Sequence, residues 1–365
     1  MIGLSVGEPD FETPSFVREA AKKAIDEGFT HYSPAAGYDE LREAVAEKLR
    51  RENGIACDYE SEVVITPGSS SGIFLALLAL LDPRDEVLLP DPAWFHYSTL
   101  ITLCGASAVG LPIKFEQTAS LDIEEAERLI TDKTKVLILN SPSNPTGIVF
   151  SKESIKLVSE LAGEHDLIVI SDEIYEKIIY PGNVHVSPGS LAELKQRTIT
   201  SNGFSKAYAM TGWRVGYLAG PSEIIEKVTA LNGYTLVCPS SMSQKAALAA
   251  LKDPRTVSCI KEMVDRLSGR RKVVLEALAG LPGVKVHPPQ GAFYAWVDIR
   301  GTGMSSEEFA YRLIEDERVG VLPGTIFGEN GRGHVRISFA TGESQLGEGL
   351  ERFRRFVIHN ASRHA

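Results

Sequence analysis

The chain runs to 365 residues, 43% of them hydrophobic and 24% charged, an ordinary globular composition with room for one large domain and a smaller one. Its formal net charge of -10, with no basic stripe set against it, excludes nucleic acid as a partner. Cys57, Cys104, Cys238 and Cys259 are widely spaced and form no CxxC pair, which excludes a disulfide framework and a cysteine metal site and fits a reducing cytoplasm.

The opening MIGLSVGEPD has no basic stretch leading into an apolar run, so no secretory signal is expected. The segment GYDELREAVAEKLRRENG, Gly37 to Gly54, predicts a helix with Leu41, Val45 and Leu49 on its buried face and a closing glycine. EVVITP at 62–67 predicts a strand, and PGSSSG, Pro67 to Gly72, follows it at the start of an apolar helix. Backbone N–H groups and the hydroxyls of Ser69, Ser70 and Ser71 there suit an anion, although plain helix capping would also place serines at such a point. The apolar run GIFLALLALL, Gly72 to Leu81, is too short to span a membrane.

Short apolar runs then alternate with helical patterns, with strands expected at 86–90, 135–140, 167–171, 197–202 and 214–220. This alternation predicts βαβ units and a largely parallel sheet. Ligands of open α/β sheets collect beyond the carboxyl ends of the strands, and residues of chemical interest stand at those ends here. Trp94 lies in DPAWFHY, as a cavity wall or as core, and Asn144 in the stiff loop NSPSNPTG, as a ligand group or a turn former. Asp172 follows LIVIS directly with Tyr175 three residues on, so if both serve one ligand the backbone must bend after Asp172; an exposed strand-end carboxylate is the alternative.

The run GFSKAYAMTGWR, Gly203 to Arg214, sets a lysine and an arginine eight positions apart among hydroxyls and small residues. Lys206 could capture an aldehyde covalently while Ser205 and Arg214 hold a dianionic phosphate; taken alone it could equally be a solvated loop lysine. After Pro254 a long helical pattern leads to a C-terminal part in which GAFYAWVDI and HVRISFA read as strands, the second carrying Arg336, a carboxylate binder or a surface ion-pair former.

Taken together, these segments resemble the motifs of the class I/II aminotransferases, fold type I enzymes dependent on pyridoxal phosphate, in order and over nearly the whole chain. The resemblance implies an α/β fold: a large domain at 36–265 with a mostly parallel sheet of the seven-stranded type between helices, and a smaller α+β domain from 1–35 and 266–365. It implies that Lys206 carries the pyridoxal 5'-phosphate aldehyde as a Schiff base, that Asp172 pairs with the pyridine nitrogen, and that Tyr175 and Asn144 bond the phenolic oxygen. Trp94 would stack on the cofactor face, and Ser69, Ser70, Ser71, Ser205 and Arg214 would hold the phosphate. Tyr32 would reach that phosphate from a neighbouring subunit, which implies a homodimer with shared sites. Arg336 would fork onto the substrate α-carboxylate, with Gly7 and Asn144 against the same group.

The activity so implied is transfer of an amino group from an L-amino acid (aspartate, aromatic or broad range) to a 2-oxo acid such as 2-oxoglutarate, by a ping-pong course in the cytoplasm, without metal, nucleic acid or membrane. Ser70 stands where an aspartate-using branch carries a lysine for the distal carboxylate, and CPSSMSQKAALAAL resembles aromatic-using or broad-range members. A β-elimination lyase on the same fold is the alternative, and a ligand-sensing regulator domain a third.

Overall fold

In the computed structural model, which describes residues 1–115 and 119–361, three sheets organise the chain. The strands are β1 (Ile2–Gly3), β2 (Val63–Thr66), β3 (Glu86–Asp91), β4 (Ser107–Phe115), β5 (Ala119–Leu121), β6 (Thr134–Asn140) and β7 (Ile168–Asp172). They continue with β8 (Thr198–Gly203), β9 (Gly216–Ala219), β10 (Lys285–His287), β11 (Tyr294–Asp298), β12 (Val319–Gly320), β13 (Leu322–Pro323) and β14 (His334–Ser338). The large sheet has the order β2-β9-β8-β7-β6-β3-β4-β5. Strands β8, β7, β6, β3 and β4 run parallel; β9 is antiparallel to both its neighbours, and β5 folds back on β4 at the edge.

The central strands read as unbroken apolar runs because both faces of the sheet are covered. Val87, Leu89, Val136 and Ile138 pack on one face with the helix Ser69–Leu80, while Leu88, Leu137 and Leu139 pack on the other with the helix Lys152–Glu164. The sequence shows six of these eight strands. It hides β4, where Gly110 and Pro112 interrupt SAVGLPIKF and half the side chains face outward, since β4 is covered on its far side only by the three-residue β5.

The expected helix after Gly37 forms at Asp39–Lys48, passes into a π-helical turn at Leu49–Asn53, and stops at Gly54, whose φ of 70° glycine adopts freely. Leu41, Val45 and Leu49 are buried, as their spacing requires. The helix after Pro254 spans Arg255–Leu278 and leads to the antiparallel sheet β10-β11-β14-β13. The N-terminus joins this second body: β1 pairs with β12, and Ser338 N donates to Leu4 O at 2.8 Å. Its core, built on Phe293, Phe309 and Phe353, also takes in Ile174 and Tyr175 from the turn after β7. No helix among the described residues is long and apolar enough to cross a membrane.

Candidate active site

A cavity of about 310 Å³ opens where the carboxyl ends of β3, β6, β7 and β8 face the second sheet. Asp172 enters it from the last residue of β7; the chain turns at once, so that Tyr175 lines the same space, as one shared ligand demands. Asn144 comes from the loop after β6, Ser205 and Lys206 from the loop after β8, and Trp94 from the segment after β3. Ser69 and Ser70 reach it from the helix Ser69–Leu80, Arg336 from β14, and Gly7 from the N-terminal segment.

One end of the cavity gathers groups that attract an anion. The helix Ser69–Leu80 has Gly68 at its N-cap with no side chain bonding its first turn, so capping is not what the serines do. Ser71 Oγ instead donates back to Pro67 O at 3.2 Å, outside the cavity. Two glycines let the surroundings close on this terminus. A Cβ at Gly216 would lie 2.6 Å from Ser69 N, and one at Gly68, whose φ is 88°, would lie 2.6 Å from Arg214 Nη2. The guanidinium of Arg214 thus rests against the helix start, its Nη1 donating to Thr211 O at 2.8 Å. Uncapped N–H groups, a helix dipole and an arginine converge there.

At the other end Asp172 is buried at 3% exposure. Tyr97 Oη donates to its Oδ2 at 2.6 Å and Ile174 N to its Oδ1 at 3.2 Å. Burial outweighs both bonds and raises the carboxyl to about 6. Lys206 stands between the two ends, its Nζ donating to Gly7 O at 2.7 Å. Burial lowers its ammonium to about 8; Glu8 resists the shift and Arg214 assists it. Tyr175 Oη and Tyr294 Oη share a hydrogen bond of 2.8 Å, and burial pushes both phenols up.

Arg336 is 3% exposed and donates to Asn144 Oδ1 at 2.7 Å and to Ser5 O at 2.5 Å. Its Nε has no partner, and its guanidinium lies 4.3 Å from the Tyr294 ring centroid and 5.0 Å from that of Phe327. No carboxylate pairs with it among the described residues. Its charge is thus met only by neutral groups, and an anion entering the cavity would find it unpaired.

Eleven of the thirteen residues named from the sequence therefore line one cavity; Ser71 does not, and Tyr32 is 83% exposed outside it. The sequence missed Tyr97, which bonds Asp172, and Tyr294, which bonds Tyr175 and whose Oη would meet any Cβ at Gly7. It also missed Asn140, whose side chain donates to Asp172 O at 3.0 Å and accepts from Asn144 N at 2.8 Å, holding two loops in register. The only signal for Tyr97 was the aromatic density of DPAWFHY.

Residues 1–353 match the family described as aminotransferase class I and II. An aspartate aminotransferase of Pyrococcus abyssi is 44% identical over 359 residues, 98% of this chain and 92% of that protein. Aromatic-amino-acid aminotransferase 2 of Thermococcus litoralis is 43% identical, again over 98% of this chain and 92% of its own length. Among solved structures, an aromatic aminotransferase from Pyrococcus horikoshii superposes with a TM-score of 0.96 at 44% identity, covering 99% of this chain and 96% of that one. The chain belongs to the class I and II aminotransferases, and its α/β architecture is that of fold type I.

Proposed function

We propose that this cavity holds pyridoxal 5'-phosphate and transfers amino groups from aromatic and dicarboxylic L-amino acids to a 2-oxo acid such as 2-oxoglutarate. The observation that carries the reading is Lys206, a buried amine lowered to about 8, placed between an uncapped helix terminus and a buried carboxylate. The cofactor supplies, when bound, an aldehyde for amino groups and a ring that takes up electrons from the substrate α-carbon.

This chain's residues do the rest. The N–H groups of Ser69 and Ser70, with Ser205 and Arg214, hold the phosphate, and Trp94 walls the ring on one side. Asp172 keeps a proton at the ring nitrogen, helped by Tyr97, while Tyr175 and Asn144 bond the phenolic oxygen. Lys206 is the covalent anchor and then, as an amine whose ammonium gives up its proton near pH 8, the general base that moves the α-proton. Arg336, with Asn144 and the Gly7 segment, orients the substrate through its α-carboxylate. The cavity walls are rich in aromatic surface, with Trp94, Phe95, Tyr97 and Tyr294, and Ser70 offers no positive charge for a distal carboxylate, which favours a donor range that includes aromatic amino acids.

We read Tyr32, exposed and outside its own cavity, as a residue that serves the cavity of a second copy, and assign a homodimer with shared sites. We also assign a large domain at 36–265 and a small one from 1–35 and 266–365, and a cytoplasmic setting suited to four free cysteines. The test is a donor screen with 2-oxoglutarate, following oxo-acid product, together with mass spectrometry of borohydride-treated protein. An adduct on the Lys206 peptide and oxo-acid formation are expected. Pyruvate plus ammonia would instead assign a β-elimination lyase, and no adduct at saturating cofactor would remove Lys206 from its role.

A further inference from the structure

A second, closed set of charges lies behind the cavity wall. In the turn after β7, Asp172 and Tyr175 line the cavity, whereas Glu173 and Glu176 join Lys48, Asn53 and His185 in a buried cluster. Glu173 is fully buried and accepts from Ser171 Oγ at 3.0 Å, Asn53 Nδ2 at 3.2 Å and Ser187 Oγ at 2.5 Å; it also pairs with His185 Nε2 at 2.8 Å. Its backbone N–H donates to Ser201 O of β8 at 2.8 Å. Glu176 accepts from Asn53 Nδ2 at 2.5 Å and from the Lys48 ammonium. The π-helical turn at Leu49–Asn53 is what brings Asn53 inward beside Lys48, whose Nζ donates to Asn53 Oδ1 at 2.7 Å.

Ligand atoms of Glu173, Glu176 and His185 lie within 4.8 Å of one another, a spacing that would also suit a metal ion. Lys48 and Asn53 already bond Glu176, while Asn53, Ser171 and Ser187 bond Glu173; burial lowers the His185 imidazole, but its two carboxylate neighbours outweigh that and raise it, so the ligand atoms are engaged within the protein. Buried ion networks of this kind add little stability over an apolar core of the same shape, because desolvation offsets their attraction. What they do supply is orientation, since each partner has one satisfied arrangement. The segment so oriented carries the two groups that face the cavity.

We propose that Glu173 is a positioning residue of the transfer reaction, whose buried bonds to Ser171, Asn53, His185 and Ser187 fix the turn that aims Asp172 and Tyr175 into the cavity. The proposal rests on the aminotransferase reading above. The charged groups facing His185 are Glu173 and Glu176 from the turn and Lys48 from the helix Asp39–Lys48, with the phenols of Tyr208 and Tyr217 sensing Glu176. Those facing Asp172 are Glu173, Lys206 and the Tyr97 hydroxyl.

The experiment compares Glu173→Ala, Glu173→Gln and His185→Gln with the wild-type protein by steady-state kinetics and by titration of the cofactor-free proteins with pyridoxal phosphate. In Glu173→Ala, kcat is expected to fall about thirtyfold with KM for the amino donor changed less than threefold, and the Kd for pyridoxal phosphate to rise about tenfold. Glu173→Gln keeps one oxygen to accept from Ser187 Oγ and turns its amide N–H toward the Ser171 hydroxyl, which can accept it, and is expected to recover kcat to within about fivefold of wild type. If Glu173→Ala fails to fold by circular dichroism, His185→Gln removes a single bond to the same carboxylate and should lower kcat about threefold to tenfold at unchanged KM. A kcat and cofactor Kd within twofold of wild type in the folded variants would overturn the proposal and leave the cluster a packing feature. A wild-type protein that binds the cofactor but turns over no donor would sink the reaction assignment, and the cofactor Kd alone would then decide the role of Glu173.

Discussion

Arg336 bonds an amide and a carbonyl, stacks on two aromatic rings, and keeps one N–H unpaired in a dry environment. Replacing it with alanine removes the charge that a substrate α-carboxylate would meet, and a desolvated charge-assisted pair is worth about 3 kcal/mol. Arg336→Ala should therefore raise KM for amino donors about a hundredfold in steady-state assays, while an unchanged KM would make the arginine structural. Asp172 allows a test by pH in the cofactor-free protein. Burial raises its folded pKa from 3.8 to about 6, so the native state holds this proton more tightly than the unfolded chain does. Stability is thus lost as pH rises from about 4 to 6, and the deficit is fully present above that window. Asp172→Asn cannot ionise, so it should stabilise the cofactor-free protein at pH 8 by up to about 3 kcal/mol and leave it unchanged near pH 4, as thermal denaturation at the two pH values would show. The sequence exposed Asp172 through its place after an apolar run. It gave no comparable sign of Tyr97, because a tyrosine near the start of HYSTLITL looks the same whether its hydroxyl meets water or a carboxylate 75 positions away.

The helix Ser69–Leu80 is an element whose value to the site lies in its bare first turn, and β9 is what holds that turn in place. Gly216 touches Ser69 N so closely that even a methyl group must push helix or strand aside. Overpacking of this size costs about 1–3 kcal/mol. Gly216→Ala should accordingly weaken pyridoxal phosphate binding about tenfold or more at unchanged far-UV circular dichroism, with fluorescence titration as the check. The central strands were legible because burial on both faces leaves nearly continuous apolar runs; β4 was not, since an outer strand with one half-open face needs neither continuity nor freedom from proline. The buried cluster around Glu173 was hidden for a further reason. SDEIYE reads as a mildly acidic turn, and its partners Lys48 and Asn53 lie more than a hundred residues away, where a π-helical turn, invisible to a 3.6-residue period, brings them inward.

At the scale of the molecule, two bodies meet across the cavity, and the turn after β7 belongs to both. It ends a strand of the large sheet and buries Ile174 and Tyr175 in the C-terminal core. The N-terminal segment crosses the same seam, offering Ser5 O to Arg336 and Gly7 O to Lys206. Tyr32 stands apart from all of this on the exterior of its own chain. If it completes the cavity of a second copy, mixing Lys206→Ala with Tyr32→Phe subunits should generate hybrid dimers with one intact site, and activity in the mixture should exceed the sum of the separate variants. Strict additivity in that assay would confine each site to a single chain.

The three tryptophans are distributed so that the protein carries its own optical gauge. Trp94 borders the cavity and stacks on His96 at 4.3 Å, whereas Trp296 is sealed in the second core against His334 and Trp213 is tied to Thr13. Indole emission overlaps the absorption of a conjugated pyridine aldehyde, and resonance transfer reaches well beyond contact. A pyridine aldehyde filling the cavity should therefore dim the emission of all three indoles, that of Trp94 at the cavity wall most strongly. Occupancy can then be followed in a cuvette without any label or turnover.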